Sequence, residues 1–230
     1  ICTASTGTVH IDINSARQKQ IDIISLKNEV DFLSKVTSTA ELAFALMMSS
    51  LRKINASAFD VQRGNWDCEN FIGRQVSDLK IGILGYGRLG RIFTNYCAAF
   101  GATLSFYDPF ISKYNNNVTR VDDLKNFLAD LDVLSIHIHA TEENNDFIDK
   151  NFLSMCKKDI LIINTSRGEV VNENDLRDFL IENTSSFYAT DVIKDEIKGR
   201  SKSPIIKLFN ETYPESNLIV TPHIGGMSVE

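Results

Sequence analysis

The run Gly85-Tyr86-Gly87-Arg88-Leu89-Gly90 follows the apolar stretch Lys80–Leu84 and opens a segment with helical patterning. In that setting each glycine of a GxGxxG run has its own role. The first permits a tight turn, the second lets the backbone approach a pyrophosphate closely, and the third lets helix pack closely on strand. The helix that starts there presents unpaired N–H groups and a partial positive charge to the phosphates. Asp108 closes the next strand-like run, eighteen residues after Gly90, where a carboxylate can accept hydrogen bonds from ribose hydroxyls. These residues predict a nucleotide cofactor. Related turns serve S-adenosylmethionine enzymes and flavoproteins, so the run names no reaction.

Three further residues stand just after strand-like runs. Arg167 follows Ile160–Asn164 in Asn164-Thr165-Ser166-Arg167-Gly168, Glu196 follows Phe187–Ile193, and His223 follows Asn217–Val220 in Thr221-Pro222-His223-Ile224-Gly225-Gly226. Open parallel sheets bind ligands at the carboxyl ends of their strands. An Arg, a Glu and a His gathered there form a catalytic set. Arginine clamps a carboxylate in a bidentate fork, and histidine exchanges a proton near neutrality. A carboxylate beside an imidazole orients it and favours its cation.

The elements that must carry these residues are legible as patterns. Strand-like runs recur at 80–85, 102–108, 132–138, 160–164, 187–193 and 217–220, with helical segments at 88–100, 122–131, 151–155 and 173–181 between them. Short apolar runs without clean alternation, separated by helices, predict an α/β doubly wound parallel sheet of the Rossmann type. Upstream, Ile11–Gln20 reads as a helix with Asp12 or Asn14 as its cap, and Ile21–Leu26 as a strand. Residues 39–59 read as one long helix, apolar nearly all round and so buried in a core or at a subunit interface.

Composition narrows the partners. The chain has 230 residues, 43% of them hydrophobic, with 24 Lys and Arg against 30 Asp and Glu, for a formal charge of −6. That is ordinary globular composition, and a net acidic chain without a basic run gives no electrostatic reason to expect nucleic acid. The apolar cluster Leu42–Met48 is far short of the ~20 residues that cross a bilayer. Cys2, Cys68, Cys97 and Cys156 are scattered, with no CxxC and no metal-ligand spacing, which predicts reduced cytoplasmic thiols and no metal site. His10, His137 and His139 are read as structural or near-surface.

In order along the chain, GYGRLG, the aspartate of YDP, DVLSIH, NTSRGEVVNENDL, the DV–E pair and TPHIGG resemble the D-isomer-specific 2-hydroxyacid dehydrogenases, among them phosphoglycerate, glycerate and D-lactate dehydrogenases. The resemblance implies NAD as cofactor. It implies that Arg167 binds the carboxylate and carbonyl of a 2-keto acid, that His223 is the acid–base group, and that Glu196 is its partner. Gly85, Tyr86, Gly87, Arg88, Leu89, Gly90, Asp108, Thr165 and Gly225 would line the cofactor, with Asp191 near the nicotinamide carboxamide. Thr6 and Gly7 match a turn whose N–H groups hold the substrate carboxylate. TAELAFALMMSSLRK resembles an interdomain, dimer-forming helix, which implies a homodimer through residues 39–59.

By the same resemblance, residues 1–35 are the remnant of a substrate domain, 36–223 the NAD-binding domain and 224–230 the start of a return segment. The chain then reads as a fragment, expected to bind NADH yet to turn over 2-keto acids poorly by itself. It departs from the family pattern at His139 and Ile197, where proline is usual, at Asn144, and in a longer segment between Glu196 and His223. Two other readings stay open: an NAD-sensing corepressor on the same scaffold, and an S-adenosylhomocysteine-hydrolase-like enzyme with a similar glycine loop.

Overall fold

The apolar runs between residues 80 and 220 become strands of one parallel sheet, because their side chains have no polar face to give to water. The protein is described here from a computed structural model covering residues 1–3, 11–26, 29–213 and 217–229. These residues divide into two units, 1–37 and 38–229.

The smaller unit holds β1 (Cys2–Thr3), α1 (Ile13–Gln18), β2 (Ile24–Ser25) and α2 (Val30–Leu33), with β1 and β2 parallel in the register Cys2 to Ile24. Asp12 is the cap of α1, its carboxylate accepting the Ser15 N–H at 2.9 Å. The strand expected over 21–26 is confined to two residues. Thr6, Gly7 and His10 lie outside the described residues.

The larger unit begins with α3 (Ser38–Leu51) and α4 (Ile54–Gln62). The single helix expected over 39–59 is therefore two. Lys53 takes the left-handed conformation, φ +50°, and ends the first before the second begins. The break separates two environments. Ala40, Ala43, Leu46 and Met47 of α3 are in the core, while no residue of α4 is buried. The apolar breadth of α3 is thus satisfied inside this chain, on α5 (Arg88–Ala99) and the sheet.

The sheet runs β5 (Thr119–Arg120), β4 (Thr103–Tyr107), β3 (Lys80–Leu84), β6 (Val133–Ile136), β7 (Leu161–Asn164), β8 (Phe187–Thr190) and β9 (Leu218–Val220), with every adjacent pair parallel. Chain order reverses between β3 and β6, which opens a crevice at the carboxyl ends of those two strands. Alternate residues feed two cores. Ile81, Ile83, Val133 and Ile163 meet α3 and α5 on one face. Leu84, Leu134, Ile136 and Ile162 meet α6 (Leu124–Leu128), α7 (Lys150–Ser154), α8 (Glu173–Glu182) and α9 (Pro204–Thr212) on the other.

In the larger unit two of these elements, β5 and α9, have no counterpart in the sequence reading. β5 is two residues long and shows no apolar period. α9 lies within the long segment between Glu196 and His223, although its start carries a serine cap and a first-turn proline. Among the described residues no helix is long and apolar enough to cross a membrane.

Candidate active site

At the crevice, Gly85 leaves β3 at φ +91°, and a β-carbon there would sit 2.9 Å from the His137 main chain. Only glycine meets both demands. Gly90 lies in the first turn of α5, where a β-carbon would overlap the Gly85 carbonyl oxygen. Gly87 caps α5 without a side chain, and nothing stands within 4 Å of where its β-carbon would be. The start of α5 therefore has no side-chain cap and open space at Gly87, as the close approach of a pyrophosphate requires.

Asp108 is fixed beside this loop, one carboxylate oxygen accepting the Tyr86 N–H at 2.8 Å and the other the Phe110 N–H at 2.9 Å. Each oxygen keeps a lone pair for a ribose hydroxyl. Tyr86 contributes main chain only. Its ring is 1% exposed and stacks on Phe106 at 4.2 Å between centroids, with Arg91 above it at 4.5 Å. Leu89 packs against the core edge, and Arg88 begins α5, where burial lowers its pKa. Beneath the loop His137 donates to or accepts from the Ser135 hydroxyl at 2.8 Å, and burial pushes its pKa down to about 4, so it is neutral at pH 7. Thr165 places a buried hydroxyl just past the end of β7 that finds no partner among the described residues. An open helix start, a fixed carboxylate and an unpartnered hydroxyl on one sheet edge fit a dinucleotide.

Arg167 owes its place to Asn164, a residue that sequence reasoning did not single out. Buried completely, Asn164 donates to the Arg167 carbonyl at 2.9 Å and accepts from the Ser166 N–H and hydroxyl at 3.0 and 2.8 Å. A polar residue ending an apolar strand was the signal. Among the described residues the Arg167 guanidinium donates one bond, to the Ser166 carbonyl at 2.6 Å, and forms no ion pair.

Glu196 and His223, 27 residues apart, do meet: the carboxylate lies 2.6 Å from Nδ1 of the imidazole. A proton on Nδ1, shared with the carboxylate, leaves Nε2 as the atom that can trade a proton with a substrate. His223 adopts φ +56°, unusual for a non-glycine residue, and its N–H donates to the Asp191 carbonyl at 2.9 Å.

Asp191, 2% exposed, secures the same turn with its side chain. It accepts from the Thr221 hydroxyl at 2.6 Å, the Ile224 N–H at 2.8 Å and the Gly225 N–H at 2.7 Å. Asp191 and Gly225 are thus bonded to each other, and in this structure both serve the His223 turn. No hydrogen bond joins Arg167 to Glu196 or His223 among the described residues.

Residues 44–225 match the family model described as D-isomer specific 2-hydroxyacid dehydrogenase, NAD binding domain. The D-3-phosphoglycerate dehydrogenase of Archaeoglobus fulgidus is 30% identical over 99% of this chain and 41% of its own length. The hydroxypyruvate reductase of Thermotoga maritima is 26% identical over the whole chain and 71% of its own length. A D-lactate dehydrogenase from Aquifex aeolicus, solved with NAD and lactic acid, superposes with a TM-score of 0.81 at 26% identity, over 98% of this chain and 69% of that one. The chain spans about two fifths of the phosphoglycerate dehydrogenases it matches. With a glycine loop, a fixed aspartate and a family match over most of its length, the chain belongs to the D-isomer specific 2-hydroxyacid dehydrogenases, and its larger unit is their NAD-binding domain.

Proposed function

We propose that the protein to which this chain belongs interconverts a D-2-hydroxy acid and its 2-keto acid, with Arg167, Glu196 and His223 as its working residues. The observation that carries this reading is the 2.6 Å contact between Glu196 and His223 Nδ1 at a sheet edge that also bears Arg167. NAD, held at the Gly85–Gly90 loop and by Asp108, supplies or accepts the hydride when bound.

In the reductive direction Arg167 forks the substrate carboxylate and polarises the keto oxygen, concentrating positive charge where negative charge develops. His223 gives its Nε2 proton to that oxygen, while Glu196 holds the ring through Nδ1. In the oxidative direction His223 takes the hydroxyl proton at the same atom.

Relatives named for phosphoglycerate and hydroxypyruvate support a small, polar 2-keto acid as substrate. A homodimer is also proposed. The resemblance to a dimer-forming helix over residues 39–59 supports it, and so do the exposed apolar side chains of Ile54, Val61, Trp66 and Ile72. Cytoplasmic placement rests on four free, scattered cysteines.

The test is a panel of 2-keto acids with NADH on the full-length gene product, beside His223→Asn and Arg167→Lys. His223→Asn should lower kcat by ~10²–10⁴ with NADH affinity unchanged. Arg167→Lys should harm both KM and kcat, since an ammonium cannot reproduce the fork. Near wild-type turnover by His223→Asn would remove the acid–base assignment, and no turnover of any 2-keto acid would favour an NAD-sensing binding module.

A further inference from the structure

Glu173 is the first residue of α8, and its side chain turns inward: the residue is 8% exposed. A carboxylate removed from water needs compensating hydrogen bonds. It has two, to residues nine apart in sequence: one oxygen accepts the Lys194 N–H at 2.9 Å and the other the Ser203 hydroxyl at 2.7 Å. Burial raises its pKa, against the opposing pull of these two bonds. Such a group is a costly way to favour a helix N-terminus, which the more exposed Asp175 in the same turn already serves.

What lies between the two anchor points explains the arrangement. Residues 194–203 carry Glu196, and most side chains around it (Asp195, Ile197, Lys198 and Arg200) are exposed, so little apolar burial holds the segment down. Local bonds shape it: Gly199 N–H to the Asp195 carbonyl and Lys202 N–H to the Gly199 carbonyl, both at 2.7 Å. These bonds are internal to the segment and cannot place it on the domain. Ser203 also caps α9, and Lys194 follows the buried Asp191–Ile193 that continue from β8, so the two clasped points are where the segment leaves the packed part of the domain and returns to it.

We propose that Glu173 is a positioning residue for the acid–base pair: its buried carboxylate clasps both ends of segment 194–203 and so presents Glu196 to Nδ1 of His223. A second contact supports the near end. Lys194 Nζ lies 2.6 and 2.7 Å from the two oxygens of Asp146, on the loop after β6. The clasp therefore fixes the carboxylate that fixes the ring, without itself meeting substrate or cofactor.

The inference rests on Glu196 and His223 being the acid–base pair, yet it can be read without turnover. The experiment uses the 230-residue chain with ring-¹⁵N histidine, His223 being assigned by its loss in His223→Asn. The imidazole ¹⁵N shifts above pH 8 report which nitrogen bears the proton. The wild type should show the Nδ1–H tautomer that a carboxylate at 2.6 Å selects. Glu173→Ala should lose that tautomer's dominance, as should Glu196→Ala, which leaves no acceptor for the Nδ1 proton. Glu173→Gln should restore it, since its carbonyl can accept the Lys194 N–H while its amide donates to Ser203. Should Glu173→Ala fail to fold, Ser203→Ala, which opens one end of the clasp, should shift the same signal. An unchanged Nδ1–H tautomer in the alanine variant that folds would overturn the proposal. So would a wild-type tautomer in Glu196→Ala. Failure of the functional reading would show instead as unimpaired turnover by His223→Asn, with the tautomer results unaffected.

Discussion

Gly168 lies directly against the main chain of Ile193 and Lys194, where a β-carbon would overlap the Ile193 carbonyl and the Lys194 nitrogen. The turn that bears Arg167 and the segment that bears Glu196 therefore touch backbone to backbone. Neither can shift without displacing the other.

Gly168→Ala should be destabilising, because both partners of the clash are main chain inside a packed sheet edge. Overpacking of this kind costs ~1–3 kcal/mol or more, which for a protein of this size lowers Tm by roughly 2–4 °C per kcal/mol. Thermal unfolding followed by circular dichroism would measure it, and an unchanged Tm would contradict the close approach.

Asp108 should make the domain prefer NAD over NADP. A 2′-phosphate would meet a carboxylate held in place by the Tyr86 and Phe110 N–H groups, and neither Pro109 nor Phe110 offers a cation. A repulsion of one to two times ~1.4 kcal/mol corresponds to ~10–100-fold. Calorimetric titration with both reduced cofactors should show that gap in the wild type and its narrowing in Asp108→Ser. Equal affinities in the wild type would remove this role.

His137 should make stability depend on acid. Its folded pKa is about 4 against 6.5 for the free side chain, the cause being burial. As pH falls from about 6.5 toward about 4 the unfolded chain takes up a proton that the folded chain refuses, so this contribution is intact above that window and lost on passing down through it. Glu173, raised by burial, acts in the opposite direction, so the comparison must be between variants. The difference in denaturant midpoint between wild type and His137→Gln should change across that window. A constant difference would show that His137 titrates normally.

Asp132, at the amino end of β6, accepts from the Lys80 N–H at 2.8 Å, from Lys157 at 2.8 Å and from Arg74 at 3.0 Å. Burial alone would raise its pKa, but these three donors outweigh burial and hold it below the ordinary carboxylate value. Asp132→Ala should cost ~1–3 kcal/mol, mainly by stranding the Lys80 N–H and the neighbouring cations. Because the folded pKa is depressed, this stabilisation is present above the ordinary value of 3.8 and lost as pH falls below it. Urea unfolding at pH 7 and at pH 3 should show the variant's deficit shrinking at the lower pH.

The parallel sheet and the glycine loop were legible in the sequence because both are local. Strands buried on two faces must be largely apolar, as residues 161–163 and Val133–Ile136 (with Ser135 its one polar residue) are, and a turn with φ +91° against the His137 main chain must be glycine, as Gly85 is. The helix break at Lys53 was not legible, since a lysine in the left-handed region leaves no compositional mark. Nor was α9, whose serine and proline signals sit in a segment read for its length alone.

The chemistry divides the same way. Residue type and position at strand ends were enough to nominate Arg167, Glu196 and His223, and resemblance supplied their roles. Only the tertiary structure decided that Glu196 reaches His223, that Asp191 is bound up in the His223 turn, and that Asn164 and Glu173 hold the flanking loops. Those contacts span distances in sequence from three residues to more than thirty, and each depends on how loops from different strands fold back over one sheet edge. A sequence states which groups exist at such an edge. Which of them touch is set by the packing of backbone on backbone, as at Gly168 and Ile193, where no side-chain pattern records the contact.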